Sequence, residues 1–260
     1  MQFALAVAVL MMASETPNST EQWRANYESS LKAPEGWLSL AGLAWLRPGA
    51  NAVELPAHCG GKNLKIDFHD GHATLQEPAG TTELTLDKSM VQTCGTSTTF
   101  IKRGERYGIR LRDPEAATRR DFNGLKWFPI NDKYRVRAAW HPYQPAKLIP
   151  ITNILGDTAD ESSPGYAEFA LDGKTYKLEP TMEDGLLFFM FRDLTASDLT
   201  YGSGRFLKAP MPSGDSVILD FNRAYNPPCA YTEFATCPLP PRQNRMAVRV
   251  EAGQQRYAAH

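Results

Sequence analysis

The sequence predicts a mostly β protein with two β lobes and one short N-terminal helix. The N-terminal lobe is read as sandwich-like and the C-terminal lobe as a β-barrel or sandwich. Three observations predict this. Glycine and proline number 19 each in 260 residues, which interrupts the chain too often for long helices and favours strands joined by turns. Short apolar runs recur between turn signals, two of them the pairs Asp70-Gly71 and Asp172-Gly173, the signature of tight hairpins. Helical spacing is clear in one place only, where Trp23, Tyr27 and Leu31 recur every fourth residue and stop before Pro34.

The elements follow in order. Residues 1–13 form an apolar run too short to span a bilayer, which takes roughly 20 residues. They read as a signal-peptide core with Ala13 at the cleavage site. That reading sends the mature chain to the periplasm or the medium, with no transmembrane anchor. Residues 14–35 hold the helix. Ser19 and Gln22 have the spacing of a capping box, and the aromatic stripe reads as a docking face. Residues 36–146 make the first lobe, with strands expected at 64–68, 73–75, 84–86, 98–102 and 107–111, evenly spaced as in a sandwich. Pro129, Pro142, Pro145 and Pro150 mark the boundary between lobes. Residues 147–260 make the second lobe. It opens with a hairpin about Asp172-Gly173 and continues with strands at 186–193, 217–222 and 246–250. Residues 223–245 carry five prolines and read as a long irregular loop, a type of segment often used for function.

Charge and cysteines narrow the function classes. Lys and Arg total 28 against 29 Asp and Glu, so no basic excess exists to hold a nucleic acid. Four cysteines in an exported chain suggest disulfides. Proximity pairs Cys59 with Cys94, and Cys229 with Cys237 as a staple on the proline loop. Two other readings of Cys229 and Cys237 stay open: a nucleophile or metal pair, which needs a histidine that this lobe lacks before His260, or two buried thiols. His69 and His72 flank a turn and read as exposed residues rather than metal ligands. No C-x-x-C, G-x-S-x-G, H-E-x-x-H or phosphate-loop ending occurs, and neither a cofactor nor a metal is expected.

The candidate site lies in the second lobe. Two strongly apolar strands, 186–191 and 217–221, are expected to share a sheet. Both end in polar groups: Arg192 and Asp193 on one, Asp220 and Asn222 on the other. The turn from Tyr201 to Arg205 offers a backbone nest for an anion, and Tyr225 and Asn226 extend the second strand. Arg192, Asp193, Tyr201, Arg205, Asp220, Asn222, Tyr225 and Asn226 are therefore the predicted ligand-binding set. Polar groups entering a core strand either pair with one another or line a pocket, and the pattern leaves both open. As a pocket, Arg192, Arg205, Arg242 and Arg245 favour an anionic ligand, and Tyr201, Tyr225 and Tyr231 suit a ring or sugar face. The expected function is an exported protein that binds a small polar or anionic ligand. The alternatives are a hydrolase using Asp193, Asp220 or Glu233, or a protein-interaction module docking through the loop.

Several stretches together carry a family resemblance. They are Gly36-Trp37-Leu38-Ser39 through Leu46, Arg103-Gly104-Glu105-Arg106-Tyr107-Gly108-Ile109-Arg110, Gly124-Leu125-Lys126-Trp127-Phe128-Pro129, Phe191-Arg192-Asp193, Thr200-Tyr201 with Gly204-Arg205-Phe206-Leu207, and the run from Asn226-Pro227-Pro228-Cys229 to Asn244-Arg245. On these the sequence resembles the bacterial family catalogued as domain of unknown function 1684. The resemblance implies a soluble or exported β protein and brings no activity with it.

Overall fold

The computed structural model describes residues 19–91 and 94–257. The predicted signal peptide lies outside the described residues. The helix forms where its spacing places it, as α1, Thr20–Lys32. Ser19 caps it by accepting the Gln22 N–H at 3.1 Å. The capping box is half realised, because the Gln22 side chain turns to Asn26 instead. Leu31 is buried and Trp23 stacks on Tyr27 with ring centroids 5.4 Å apart, so the stripe is an inward face. A second, one-turn α-helix, α2, spans Ala117–Arg120.

The first lobe holds β1 (Leu40–Trp45), β2 (Gly49–Glu54), β3 (Asn63–His69), β4 (His72–Glu77), β5 (Gly80–Leu84), β6 (Ser89–Val91), β7 (Ser97–Arg103) and β8 (Arg106–Arg112). They form two antiparallel sheets, ordered β1-β8-β7-β6 and β2-β3-β4-β5. Their alternating apolar residues meet in one core: Val53, Ile66, Phe68 and Leu75 from one sheet, Phe100, Ile109 and Leu111 from the other. The Asp70-Gly71 hairpin is present, with both residues at positive φ. Cys59 and Cys94 form a disulfide.

The second lobe holds β9 (Arg135–Thr152), β10 (Thr158–Leu171), β11 (Lys174–Leu178), β12 (Thr181–Glu183), β13 (Leu186–Phe191), β14 (Arg205–Ala209) and β15 (Ser216–Asp220). Its sheets run β11-β10-β9-β15 and β12-β13-β14. Neither closes into a barrel. Ala138, Phe169, Leu187, Phe189, Phe191, Leu207 and Leu219 fill the space between them. The other face of β13 and β14 presents Phe188, Met190 and Phe206 to a separate cluster that also holds Cys237. No helix among the described residues is long and apolar enough to cross a membrane.

Four expectations need correction. The boundary placed between residues 146 and 147 falls inside β9, one continuous strand of the second lobe. Its prolines are tolerated because β15 pairs only with its start, Arg135 to Ala139, which leaves Pro142, Pro145 and Pro150 on a free edge. Strands β13 and β15 do not share a sheet. They face each other across the core, with Phe191 and Phe221 rings 5.3 Å apart. Residues 246–250 alternate correctly, burying Met246, Val248 and Val250, yet form no ladder, because the Val250 N–H is taken by the Asp193 carboxylate at 2.8 Å. The predicted Cys229–Cys237 disulfide is absent and both residues are thiols. Each sulfur accepts the other residue's backbone N–H, at 3.1 and 3.3 Å, which holds the pair in contact without a covalent bond.

The Cys59–Cys94 bridge spans 35 residues of sequence. Loop closure of that size stabilises the fold by about 4 kcal/mol. A urea titration of the protein with and without reductant is expected to show a large drop in midpoint on reduction.

Candidate functional site

The eight predicted site residues do not converge. Arg205 is wholly buried and bonds the Val250 carbonyl at 2.9 Å, the Ala252 carbonyl, and the Asp193 carboxylate at 3.1 Å. Burial lowers its pKa, and Asp193 acts against that. Asp193 also accepts the Thr195 hydroxyl at 2.7 Å. This is a buried structural network, in which the charge is paired though the Arg205 Nε lacks a partner, and not an anion nest. The turn before it serves packing: Gly204 has φ +109, and a Cβ there would lie 2.5 Å from the Phe191 carbonyl oxygen. Asp220 caps the next turn by accepting the Asn222 N–H, and Asn222 bonds Asn131 through both ends of its amide. Asn226 is held by Gln254 and Gln255. The Tyr201 hydroxyl bonds the Cys229 carbonyl. Arg192 is exposed and bonds the Gly202 carbonyl, and Arg242 and Arg245 are exposed as well. Of the set, Tyr225 alone lines the cavity described next.

That cavity, of about 800 Å³, lies between α1, the first-lobe sheet and the outer face of β13 and β14. Its volume falls within the ordinary range for small-molecule sites. Alternation on β13 and β14 places Leu186, Phe188, Phe206 and Lys208 on this side, and α1 adds Trp23 and Tyr27. Tyr27 and Tyr225 meet at 5.0 Å. Burial raises the pKa of both hydroxyls.

The charged groups on the wall are not equal. Lys208 is paired with Glu183 at 2.8 Å and Asp184 at 3.2 Å, and Arg223 faces Asp220 at 3.6 Å. Arg103 gives its Nε to the Thr236 hydroxyl and one terminal nitrogen to the Lys102 carbonyl. Arg110 stands apart. It is 6% exposed, its Nε has no hydrogen-bond partner, and its guanidinium carbon lies 5.2 Å from the centre of the Trp37 ring. Burial, reinforced by the nearby charges of Arg103 and Arg112 and opposed more weakly by Asp87, lowers its pKa to about 10. It therefore stays charged at neutral pH.

Sequence reasoning missed Arg110. Alternation on β8 sends Arg106, Arg110 and Arg112 to one face and Tyr107, Ile109 and Leu111 to the core. Three arginines on one face of the strand were the available signal, and they read as a solvated face until Trp37 covers Arg110 and Arg112. Arg106 finds Asp157 and Arg112 the Thr99 hydroxyl; Arg110 finds neither.

The metal-like grouping of His58, Cys59 and Cys94 is not a site, because both sulfurs are spent in the disulfide. His69 and His72 are exposed, beside Asp67 and Glu83. The Cys237 thiol, pushed up by burial, donates to Cys229, whose pKa is lowered by that bond.

Residues 120–255, just over half of the chain, match the sequence model of the family described as "Protein of unknown function (DUF1684)". The chain belongs to this family. A solved relative is the uncharacterized protein from gene locus rrnAC0354 of Haloarcula marismortui, determined by solution NMR. It is 33% identical over 55% of this chain and 80% of its own, with a TM-score of 0.45. Comparison with curated proteins finds no similar sequence. The matched span covers the second lobe and the proline loop. For this DUF1684 member the cavity is therefore built from both sides of that limit: Phe188, Phe206 and Tyr225 lie within it, while Trp23, Tyr27, Arg103 and Arg110 precede it.

Removing one partner of a buried ion pair leaves an uncompensated charge and costs roughly 3–5 kcal/mol. Arg205→Met is expected to fall in that range in urea unfolding, and Asp193→Asn combined with it to recover part of the loss. Arg192→Ala, on the surface, is expected to stay within about 0.5 kcal/mol of wild type.

Proposed function

We propose that this protein binds a small anionic ligand in the cavity between its lobes, with Arg110 as the charge anchor. One observation carries the reading: a buried guanidinium on the cavity wall that, among the described residues, forms no contact ion pair, with Asp87 acting on it only at longer range. Burying a charge without a partner is costly, and an anionic ligand supplies the partner. Arg103 supplies a second positive charge on the same wall. The anionic ligand expected from sequence is kept, while its seat moves from the buried Arg205 to Arg110. Binding is favoured over hydrolysis because Asp193 is paired to Arg205, Asp220 caps a turn, and Glu233 is exposed. None of the three lines the cavity. A sugar-stacking role for Tyr231 loses support, since it is buried and bonded to Gln254.

The test uses two fluorescent probes with one body. 8-Anilino-1-naphthalenesulfonate is anionic and N-phenyl-1-naphthylamine is neutral. A charge-assisted hydrogen bond contributes roughly 1.5–3 kcal/mol, so Arg110→Met is expected to weaken the sulfonate about tenfold or more and leave the neutral probe unchanged. Equal losses for both probes would rule out Arg110 as a charge anchor. The pH dependence has a definite sign. Arg110 is cationic below about 10, so sulfonate binding is present at neutral pH and declines as pH rises through that value, while neutral binding does not.

Export remains part of this reading. The Cys59–Cys94 disulfide supports it, because such bonds persist in oxidising compartments. Fractionation of cells producing the tagged full-length protein is expected to recover it outside the cytoplasm; a wholly cytoplasmic distribution would refute the export reading.

A further inference from the structure

The geometry points to a narrower ligand class: we propose that the cavity takes a medium- or long-chain acyl carboxylate, its head at Arg110 and its chain along β14. The inference rests on the anion reading above and adds the body to the head.

The body is argued from the walls. A continuous part of the lining is apolar, made by Leu186, Phe188, Phe206, Tyr225, Trp23 and Pro210, while the further charged groups Lys208, Glu183 and Arg223 are engaged in ion pairs. The rings do not form a slot for a flat ligand. Phe188 meets Phe206 at 71°, Phe206 meets Tyr225 at 85°, and Tyr225 meets Tyr27 at 50°. Trp23 and Tyr27 are parallel but stacked on each other, with no gap between them. Successive rings turn against one another and leave a rough, continuous apolar surface. A flexible chain follows such a surface, whereas a rigid planar ring needs two parallel faces. The floor is also elongated. From Phe206 to Pro210 the chain advances four residues, about 13 Å at strand rise.

The head is argued from the charges. The Arg110 fork presents donors to a two-oxygen group; among the described residues it forms no hydrogen bond or contact ion pair, and the Asp87 charge acts on it without contact. Arg103 has spent two nitrogens on Thr236 and Lys102. Arg110 is the guanidinium left without hydrogen bonds, and a singly charged carboxylate matches it one for one; the alkyl phosphate tests whether the Arg103 charge adds to it. At the other end Lys208 is neutralised by Glu183 and Asp184, so it does not compete for the head.

Titration calorimetry of the full-length protein with straight-chain carboxylates from six to sixteen carbons, below their micelle concentrations, tests the class. Each methylene that enters the cavity is expected to tighten binding about fourfold, until the cavity is filled. Alkanols and alkyl phosphates of equal length are the comparison arms. In wild type the carboxylate is expected to bind best. In Arg110→Met, with its fold checked by circular dichroism, carboxylate and alkanol are expected to bind alike. Affinity that does not change with chain length overturns the acyl class, while Arg110-dependent sulfonate binding would still uphold the anion reading. Tighter binding of the alkyl phosphate overturns the carboxylate head. Carboxylate and alkanol binding equally in wild type, or no binding at any length, overturns the proposal.

Discussion

The second lobe is organised by one guanidinium sealed from water. Burying Arg205 is costly unless its charge and terminal donors are met inside the protein, and the groups that meet them come from distant parts of the chain. Asp193 stands at the end of β13, and the carbonyls of Val250 and Ala252 belong to the last segment. The Asp193 carboxylate in turn fixes Thr195 and the Val250 N–H. The C-terminal segment is thereby held by side chains where a β ladder would otherwise hold it. Past it, Gly253 adopts φ +77 with no room for a Cβ against the Ala224 and Phe221 carbonyls. Gln254 can then reach Asn226 and Tyr231, and Tyr231 touches Tyr27 of the helix. The network that closes the core thus also sets one wall of the cavity.

Arg110 is the contrasting case. Both arginines are buried and both are pushed toward neutrality by desolvation. At Arg205 a bonded carboxylate opposes the shift; at Arg110 two neighbouring arginines add to it and each outweighs the distant Asp87. A fold selected for stability alone gains by replacing an unpaired buried charge with an apolar side chain. Retaining one on a cavity wall is the kind of local conflict that functional sites show, compensated by packing elsewhere.

Much of the scaffold was legible in the sequence because local chemistry decides it. Asp-Gly pairs fix hairpins through positive φ, and residues 246–250 alternate as a strand would. What was not legible depends on partners far along the chain. Alternation says which face of β13 is apolar, but not that β15 lies in the opposite sheet. The prolines of β9 suggest a boundary until the free edge is known. At the candidate site, polar residues at strand ends marked a core network, because a buried pair and a pocket wall draw on the same residue types. The residue that carries the functional reading sat on a strand face that any local rule assigns to solvent.

The proline loop explains why the cavity can persist. An apolar space of this size would close if its walls could move together, since contact between them removes apolar surface from water. Each wall is instead fixed by something other than the cavity. β13 and β14 are anchored by the core on their other face. The first-lobe sheet is held by its own sandwich. Residues 223–245 are irregular yet pinned: Thr232 bonds the Leu40 carbonyl, Asn244 bonds the Glu179 and Met190 carbonyls, and Tyr231 is buried against Tyr257. Prolines add stiffness at no cost in lost ladder bonds, because no ladder runs there. The space is therefore preformed, and a ligand entering it would have little ordering entropy to lose on the protein side.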